Sequence, residues 1–429
     1  MASTLAVFTL GCRVNQYESR LMEDRARELG FEIAEKGAPA DFAVINSCAL
    51  TVLAEAKTRQ CARIFARKNP EGKIAITGCL AQTAREALLK LPNVKWIVGN
   101  SLKAQCPQII KANPDPREPL VFDAPAKSQE SAALCGNSPL TDRANLKIQD
   151  GCDNACSYCI IPRARGKPIS RGFAEIVADA ENLVSRGVRE IILTGINIAK
   201  FSSKDGTLAD LADRICAIPE LLRLRLGSME PPAPELGALL ERAADPSHKL
   251  CPHFHISAQS LSDGVLAAMR RKYRAADFLE MLEKIRAASP RIAVGTDIIC
   301  GHPHESRADF ETTRERLLNS GMAYAHVFTF SPRPMTPAAA MPQIDPAERK
   351  ARSDLLRQGA KTLAQNFAEK NSAEPVEVLL ENETAPGVYL ARTDNYIKTK
   401  VEVGAGGMKN RLAIVELVRG GAARLAKLL

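Results

Sequence analysis

Cys152, Cys156 and Cys159 stand in the run Gly151-Cys152-Asp153-Asn154-Ala155-Cys156-Ser157-Tyr158-Cys159. This C-x3-C-x2-C constrains the fold more than any other feature of the chain. Three thiolates from one short loop hold three irons of a cubane cluster and leave the fourth iron open, whereas most electron-transfer clusters use four cysteines. The loop must therefore lie where a substrate or cosubstrate reaches it. It follows the strand candidate Asn145–Gln149, and α/β sites are built at strand carboxyl ends. Zinc sites normally close with four ligands, often as paired C-x2-C knuckles. No second knuckle follows, and the chain has only 6 His.

A βα series starts at this strand. Further strand candidates are Glu190–Thr194, Leu222–Leu226, His253–Ser257, Arg291–Ile299 and His326–Phe330, separated by helical patterns. Six strands predict a partial (β/α)6 barrel. A second alternation precedes it, with strands at Leu5–Leu10, Phe42–Asn46, Lys73–Thr77 and Val94–Val98. Helices are expected at Gln16–Leu29, Ala54–Lys68, Ala84–Leu89 and Ser101–Lys111. That pattern predicts an open parallel α/β domain over 1–112. Residues 113–143, rich in Pro and then in Ala, Ser and Gln, read as a linker with room for one extended piece. The partial barrel and the long helix Pro346–Asn371 fill 144–371. Short strands at Pro375–Leu380, Gly387–Arg392, Tyr396–Val403 and Ala413–Val418 predict a small β-barrel over 372–429.

Cys12, Cys48 and Cys79 are far apart in sequence, yet each falls just past a predicted parallel strand. Ligand sites in open sheets form in the crevice outside strand carboxyl ends. One edge thus gathers the three thiols, and Gly11 and Gly78 let the backbone bend around a bulky group. A lone buried Cys is usually a small core hydrophobe; three at equivalent positions point to a second cluster. The cysteines at 61, 106, 135, 216, 251 and 300 lack such a pattern and read as core.

With 12 Cys, no signal peptide pattern and no long apolar run, the chain reads as a cytoplasmic metal protein with no membrane segment. Leu10-Gly11-Cys12 resembles a lipoprotein cleavage site, but no Lys or Arg precedes it. The net charge of +9 suits a polyanionic partner.

Together these residues resemble the radical-SAM methylthiotransferases over nearly the whole chain. The resemblance implies a methylthiotransferase amino-terminal domain, a radical-SAM core and a terminal barrel of TRAM type. It implies two 4Fe-4S clusters: an auxiliary one on Cys12, Cys48 and Cys79, and one on Cys152, Cys156 and Cys159 whose open iron chelates S-adenosyl-L-methionine (SAM). It further implies an electron donor, flavodoxin or ferredoxin, and a tRNA anticodon stem-loop as partner; the chain is expected to act as a monomer. Arg13-Val14-Asn15-Gln16-Tyr17-Glu18-Ser19, Lys147–Cys152 and Met269-Arg270-Arg271-Lys272-Tyr273 look like the branch acting on N6-threonylcarbamoyladenosine. Sister branches act on isopentenyladenosine in tRNA or on a ribosomal-protein aspartate. A reading from another class is a non-catalytic RNA-binding iron–sulfur protein, against which the open-iron spacing argues. Three family glycines are replaced, by Leu261, His304 and Met335.

Further expectations follow from strand-end positions. Gly195, Glu230, Gln259 and Asp297 would meet SAM at the barrel mouth. Arg270, Arg271, Lys272 and Arg274, with Tyr273 among them, form the densest basic run and would contact RNA phosphates; Arg163, Arg165, Lys167 and Arg171 form a second. Lys398 and Lys400 of the terminal barrel, beside Tyr389 and Tyr396, would add charge and stacking. Arg333 and Arg225 are candidates to receive a substrate carboxylate.

Overall fold

Five short apolar runs and a two-residue edge strand build the first sheet. Its strands are β1 Thr4–Thr9, β2 Glu32–Ile33, β3 Phe42–Ser47, β4 Lys73–Gly78, β5 Val94–Val98 and β6 Leu120–Phe122. They lie in the order β2-β1-β3-β4-β5-β6, every pair parallel. β3 is buried along its whole length. Ala43 and Ile45 enter one hydrophobic core and Phe42 and Val44 the other, so helices cover both faces. The two outermost strands, β2 and β6, have too few residues for a sequence pattern to reveal; β6 lies in the stretch read as linker.

The second unit contains β7 Arg143–Lys147, β8 Gln149–Asp150, β9 Ile169–Ser170, β10 Glu190–Thr194, β11 Arg223–Leu226, β12 Ser228–Met229, β13 His253–Ile256, β14 Ala293–Cys300 and β15 Tyr324–Thr329. Two parallel sheets, β11-β10-β7 and β12-β13-β14-β15, form one arc because β12 continues β11 across Gly227. The short antiparallel pair β8–β9 flanks the Cys152–Cys159 loop. The helix Pro346–Lys370 starts at Asp345, whose carboxylate accepts from the amides of Ala347 and Glu348, and it packs along β15.

The terminal unit is a closed barrel, β16 Val376–Ala385, β17 Val388–Thr393, β18 Lys398–Glu402, β19 Leu412–Leu417 and β20 Ala422–Leu428, closing in the order β16-β17-β18-β20-β19. It has one strand more than the sequence reading expected: the Ala, Arg and Lys of β20 are weak strand formers. The barrel docks against the amino ends of the core strands. Arg223, first in β11, donates to the Arg392 carbonyl at 2.9 Å and to Glu377 at 2.8 Å. Arg291, just before β14, pairs with Asp394 at 3.0 Å.

This computed structural model describes residues 2–35, 37–124, 143–404, 406–418 and 422–429. Cys106, Cys216, Cys251 and Cys300 are buried and Cys61 partly so; Cys135 and most of the expected linker lie outside the described residues. Among those residues no helix is long and apolar enough to cross a membrane.

Candidate active site

Cys12, Cys48 and Cys79 follow β1, β3 and β4 on one sheet edge. Gly11 and Gly78 precede two of them in left-handed backbone, with φ of 102° and 92°. A Cβ on Gly11 would lie 2.9 Å from the Cys48 sulfur, and one on Gly78 2.4 Å from the Ser47 carbonyl. Both glycines are thus needed for the close approach of the three strand ends. Cys152, Cys156 and Cys159 leave the carboxyl end of β7 and face the same space. All six cysteines line one cavity of about 340 Å³.

Each triad meets a buried arginine. Arg165 Nε donates to the Cys79 sulfur at 3.2 Å. Its other nitrogens donate to Asp150 Oδ2 at 2.8 Å, Glu18 Oε1 at 3.1 Å and Asn15 Oδ1 at 2.6 Å. Arg271 Nη1 donates to the Cys156 sulfur at 3.2 Å, while Nη2 pairs with Glu230 at 2.8 Å. Its guanidinium lies 5.0 Å above the Tyr273 ring. Burial pushes the Cys48 and Cys159 thiols up to about 12. Burial also raises Cys12, against the pull of Arg165, and Cys152. These four thiols stay protonated near neutrality until a metal displaces the proton. Burial would raise Glu18 and Asp150 too, but Arg165 and the nearby lysines outweigh it and hold both below the usual carboxylate range.

Among the described residues no three His, Cys, Asp or Glu side chains form a site for a single ion. Two groups of three soft thiol donors, two of each buried and one partly so, beside cationic donors, suit iron–sulfur clusters. Each triad leaves one position of a cubane without a protein thiolate.

The residues expected at the barrel mouth are all in this cavity: Gly195, Glu230, Gln259 and Asp297. Glu230 Oε2 accepts from Asn154 at 2.5 Å and Asn197 at 3.1 Å. Asp297 Oδ2 accepts from Ser257 at 3.0 Å and meets His255 at 3.1 Å; burial would raise its pKa, but His255 overrides it and lowers it. Gln259 holds a left-handed φ of 64° between the strand ends.

The basic runs divide. Arg271 is not an outward phosphate contact: its side chain is 4% exposed and faces the cavity. The reason is the turn after Met269, where Arg270 takes a φ of 60° and Arg271 then reaches the Cys152–Cys159 loop. Arg270, Lys272 and Arg274 remain exposed. In the second run Arg165 is buried as described, and Arg171 binds Asp179 at 2.8 Å and the Tyr17 hydroxyl at 3.0 Å; Arg163 and Lys167 stay exposed. In the barrel Lys398 and Lys400 are exposed, whereas Tyr389 is core. Tyr396 stacks on His253 at 4.3 Å and accepts from Arg13 at 2.9 Å, so its ring is not free for a base. Arg225 is no carboxylate receptor either: fully buried, it pairs with Glu190 at 2.9 Å and donates to the Asp394 carbonyl at 2.7 Å. Arg333 does line the cavity. It pairs with Glu55, and its Nε and Nη1 have no hydrogen-bond partner among the described residues.

Sequence reasoning missed Asn15, Asn154, Asn197 and Gln149. Gln149 Oε1 accepts the amides of Ile196 and Asn197, each at 3.0 Å, and so shapes the turn after β10. One signal was available: Asn154 lies inside the cysteine loop and Gln149 at the end of the preceding strand, where a polar side chain needs a partner once buried.

The family described as Uncharacterized protein family UPF0004 matches residues 4–99, and the Radical SAM superfamily matches 146–317. A Threonylcarbamoyladenosine tRNA methylthiotransferase MtaB of Chlamydia pneumoniae is 36% identical over 89% of this chain and 87% of its own length. Its namesake in Bacillus subtilis is 34% identical over 98% and 94%. A tRNA-2-methylthio-N(6)-dimethylallyladenosine synthase of Cereibacter sphaeroides is 33% identical over 94% of both. The radical S-adenosylmethionine methyltransferase TsrM of Kitasatospora setae shares the fold, with a TM-score of 0.56 at 13% identity, covering 90% of this chain and 78% of that one.

Proposed function

The chain belongs to the radical-SAM methylthiotransferases, and we propose that it adds a methylthio group at C2 of N6-threonylcarbamoyladenosine beside the tRNA anticodon. The observation that carries this reading is the single cavity lined by two cysteine triads from separate sheets. Groups held at the two triads would then act on one substrate atom without diffusing between separate sites. In this reading Cys12, Cys48 and Cys79 hold an auxiliary 4Fe-4S cluster, and Cys152, Cys156 and Cys159 hold the cluster that binds SAM. When bound, these groups would supply a cluster-held sulfur that takes its methyl group from one SAM, and an adenosyl radical from a second SAM reduced by one electron from a flavodoxin or ferredoxin.

The protein's own part is to bind, aim and shield. Arg165 and Arg271 offset thiolate charge in a buried site. Glu230, fixed by Arg271, Asn154 and Asn197, is placed to accept ribose hydroxyls of SAM. Gly195 presents backbone at the end of β10, and Gln259 and Asp297 line the same cavity. Arg333 offers two open donors to an anionic group in the cavity, such as the threonyl carboxylate. The choice of threonylcarbamoyladenosine rests on the motifs at Arg13–Ser19 and Met269–Tyr273; relatives of that name at 34% and 36% identity support it, beside a dimethylallyladenosine synthase at 33%.

Side-by-side turnover of two tRNAs, one carrying threonylcarbamoyladenosine and one isopentenyladenosine, tests the substrate. Nucleoside mass spectrometry should find the methylthio product on the first and little on the second. Equal or greater product on isopentenyladenosine would move the assignment to the sister branch.

A further inference from the structure

An apolar rim lies beside the cavity that the two cysteine triads line. Leu50 is 42% exposed, Val52 52%, Leu53 64%, Phe328 46% and Met335 54%. They come from the turn after β3, the start of the helix Val52–Lys68, β15 and the loop beyond it. These segments meet: the Val52 amide donates to Ser331 Oγ at 3.0 Å, and Glu55 pairs with Arg333. Leu50 and Phe328 also line the cavity, so rim and cavity are continuous. Single exposed apolar residues need no explanation, but five on segments that meet beside one concave site, two of them lining it, mark a binding surface.

Met335 adds a second observation. Its φ is 64°, a conformation that L side chains adopt reluctantly and that suits the glycine of the family pattern. His304 and Leu261, the other two replacements, show no such backbone among the positive-φ residues. The strained position holds an exposed thioether two residues beyond cavity-lining Arg333 and 4.0 Å from the guanidinium of exposed Arg163.

We propose that this rim seats an unpaired nucleobase of the anticodon loop, next to the one drawn into the cavity. Phe328 is the stacking face, and Met335 and Leu53 close around it. The inference rests on the reading of the chain as a tRNA-modifying enzyme. Extruding one base strips its neighbour of a stacking partner, and an exposed ring at the exit replaces that partner. Single-stranded RNA is typically held by such faces with cations beside them for phosphate; Arg163 stands next to Met335, and the chain is +9 overall.

Fluorescence anisotropy of the reconstituted enzyme with a labelled anticodon stem-loop carrying threonylcarbamoyladenosine tests the rim. Phe328→Ala should weaken binding about fivefold or more, and Phe328→Trp should restore it. Met335→Gly should weaken binding about threefold while the melting temperature holds or rises, because the left-handed strain is gone. Leu53→Ser should behave like Met335→Gly in binding, and both should cleave SAM without RNA at the wild-type rate. A 2-aminopurine placed beside the target base should be quenched on binding to wild type and not to Phe328→Ala. Unchanged affinity in Phe328→Ala and Met335→Gly, with wild-type binding intact, overturns the rim and leaves the tRNA reading standing. A wild-type enzyme that ignores the hairpin but methylthiolates an aspartate-bearing protein loop overturns both.

Discussion

Arg271 shows how one side chain changes meaning between sequence and structure. In the chain it is one of four cations in five residues; in the fold it is a buried donor to Cys156, lying over the Tyr273 ring and paired with Glu230. A hydrogen bond to a cluster sulfur stabilises the more negative, reduced state. In a Cys12/Cys48/Cys79→Ala background, which isolates one cluster, Arg271→Gln is therefore expected to lower the midpoint potential in an EPR-monitored redox titration. Arg271→Lys, which keeps the charge but not the planar fork, should shift it less. An unmoved potential at full iron loading would leave Arg271 as a structural partner of Glu230 alone. The difference was illegible beforehand because a charge run states composition, not direction. Only the turn at Arg270 brings its neighbour to the Cys152–Cys159 loop.

At the scale of elements, the cysteines were legible and the polar scaffold was not. Strand-end positions of Cys12, Cys48 and Cys79 follow from period and spacing alone, since parallel strands share an edge. The same logic placed Gly195, Glu230, Gln259 and Asp297 in the cavity. What escaped was short or long-range: two-residue β2, alanine-rich β20, and Arg165 reaching from the helix Ile161–Arg165 back to Cys79. Contacts across 86 residues leave no local pattern. The glycines before the cysteines make a sharp element-scale prediction. Gly11→Ala would press a methyl onto Cys48 and add left-handed strain. It should cost about 1–3 kcal/mol and reduce iron bound at the auxiliary triad, read by denaturant melts and iron analysis. Full iron loading with unchanged stability would show that the strand ends have slack.

At the scale of the whole molecule, buried ion pairs tie the units together. Glu190 of β10 accepts from Arg225 and Arg143, and both arginines also reach the terminal barrel. Burial alone would raise the Glu190 pKa, but the arginines hold it well below the carboxylate range. A carboxylate depressed in the folded state adds stability above its unfolded pKa, about 4.3, and that stability is lost as pH falls. Glu18 and Asp150, also depressed, act in the same direction. Melting temperature should thus fall steeply below about pH 4.5. Glu190→Gln should cost about 3–5 kcal/mol near neutrality and flatten that fall, as followed by circular dichroism. The central claim, two open-iron clusters facing one substrate, is tested most directly by iron stoichiometry after anaerobic reconstitution. Wild type should bind about eight irons per chain, and the Cys152/Cys156/Cys159→Ala and Cys12/Cys48/Cys79→Ala variants about four each. Wild type that saturates at about four irons would contradict it.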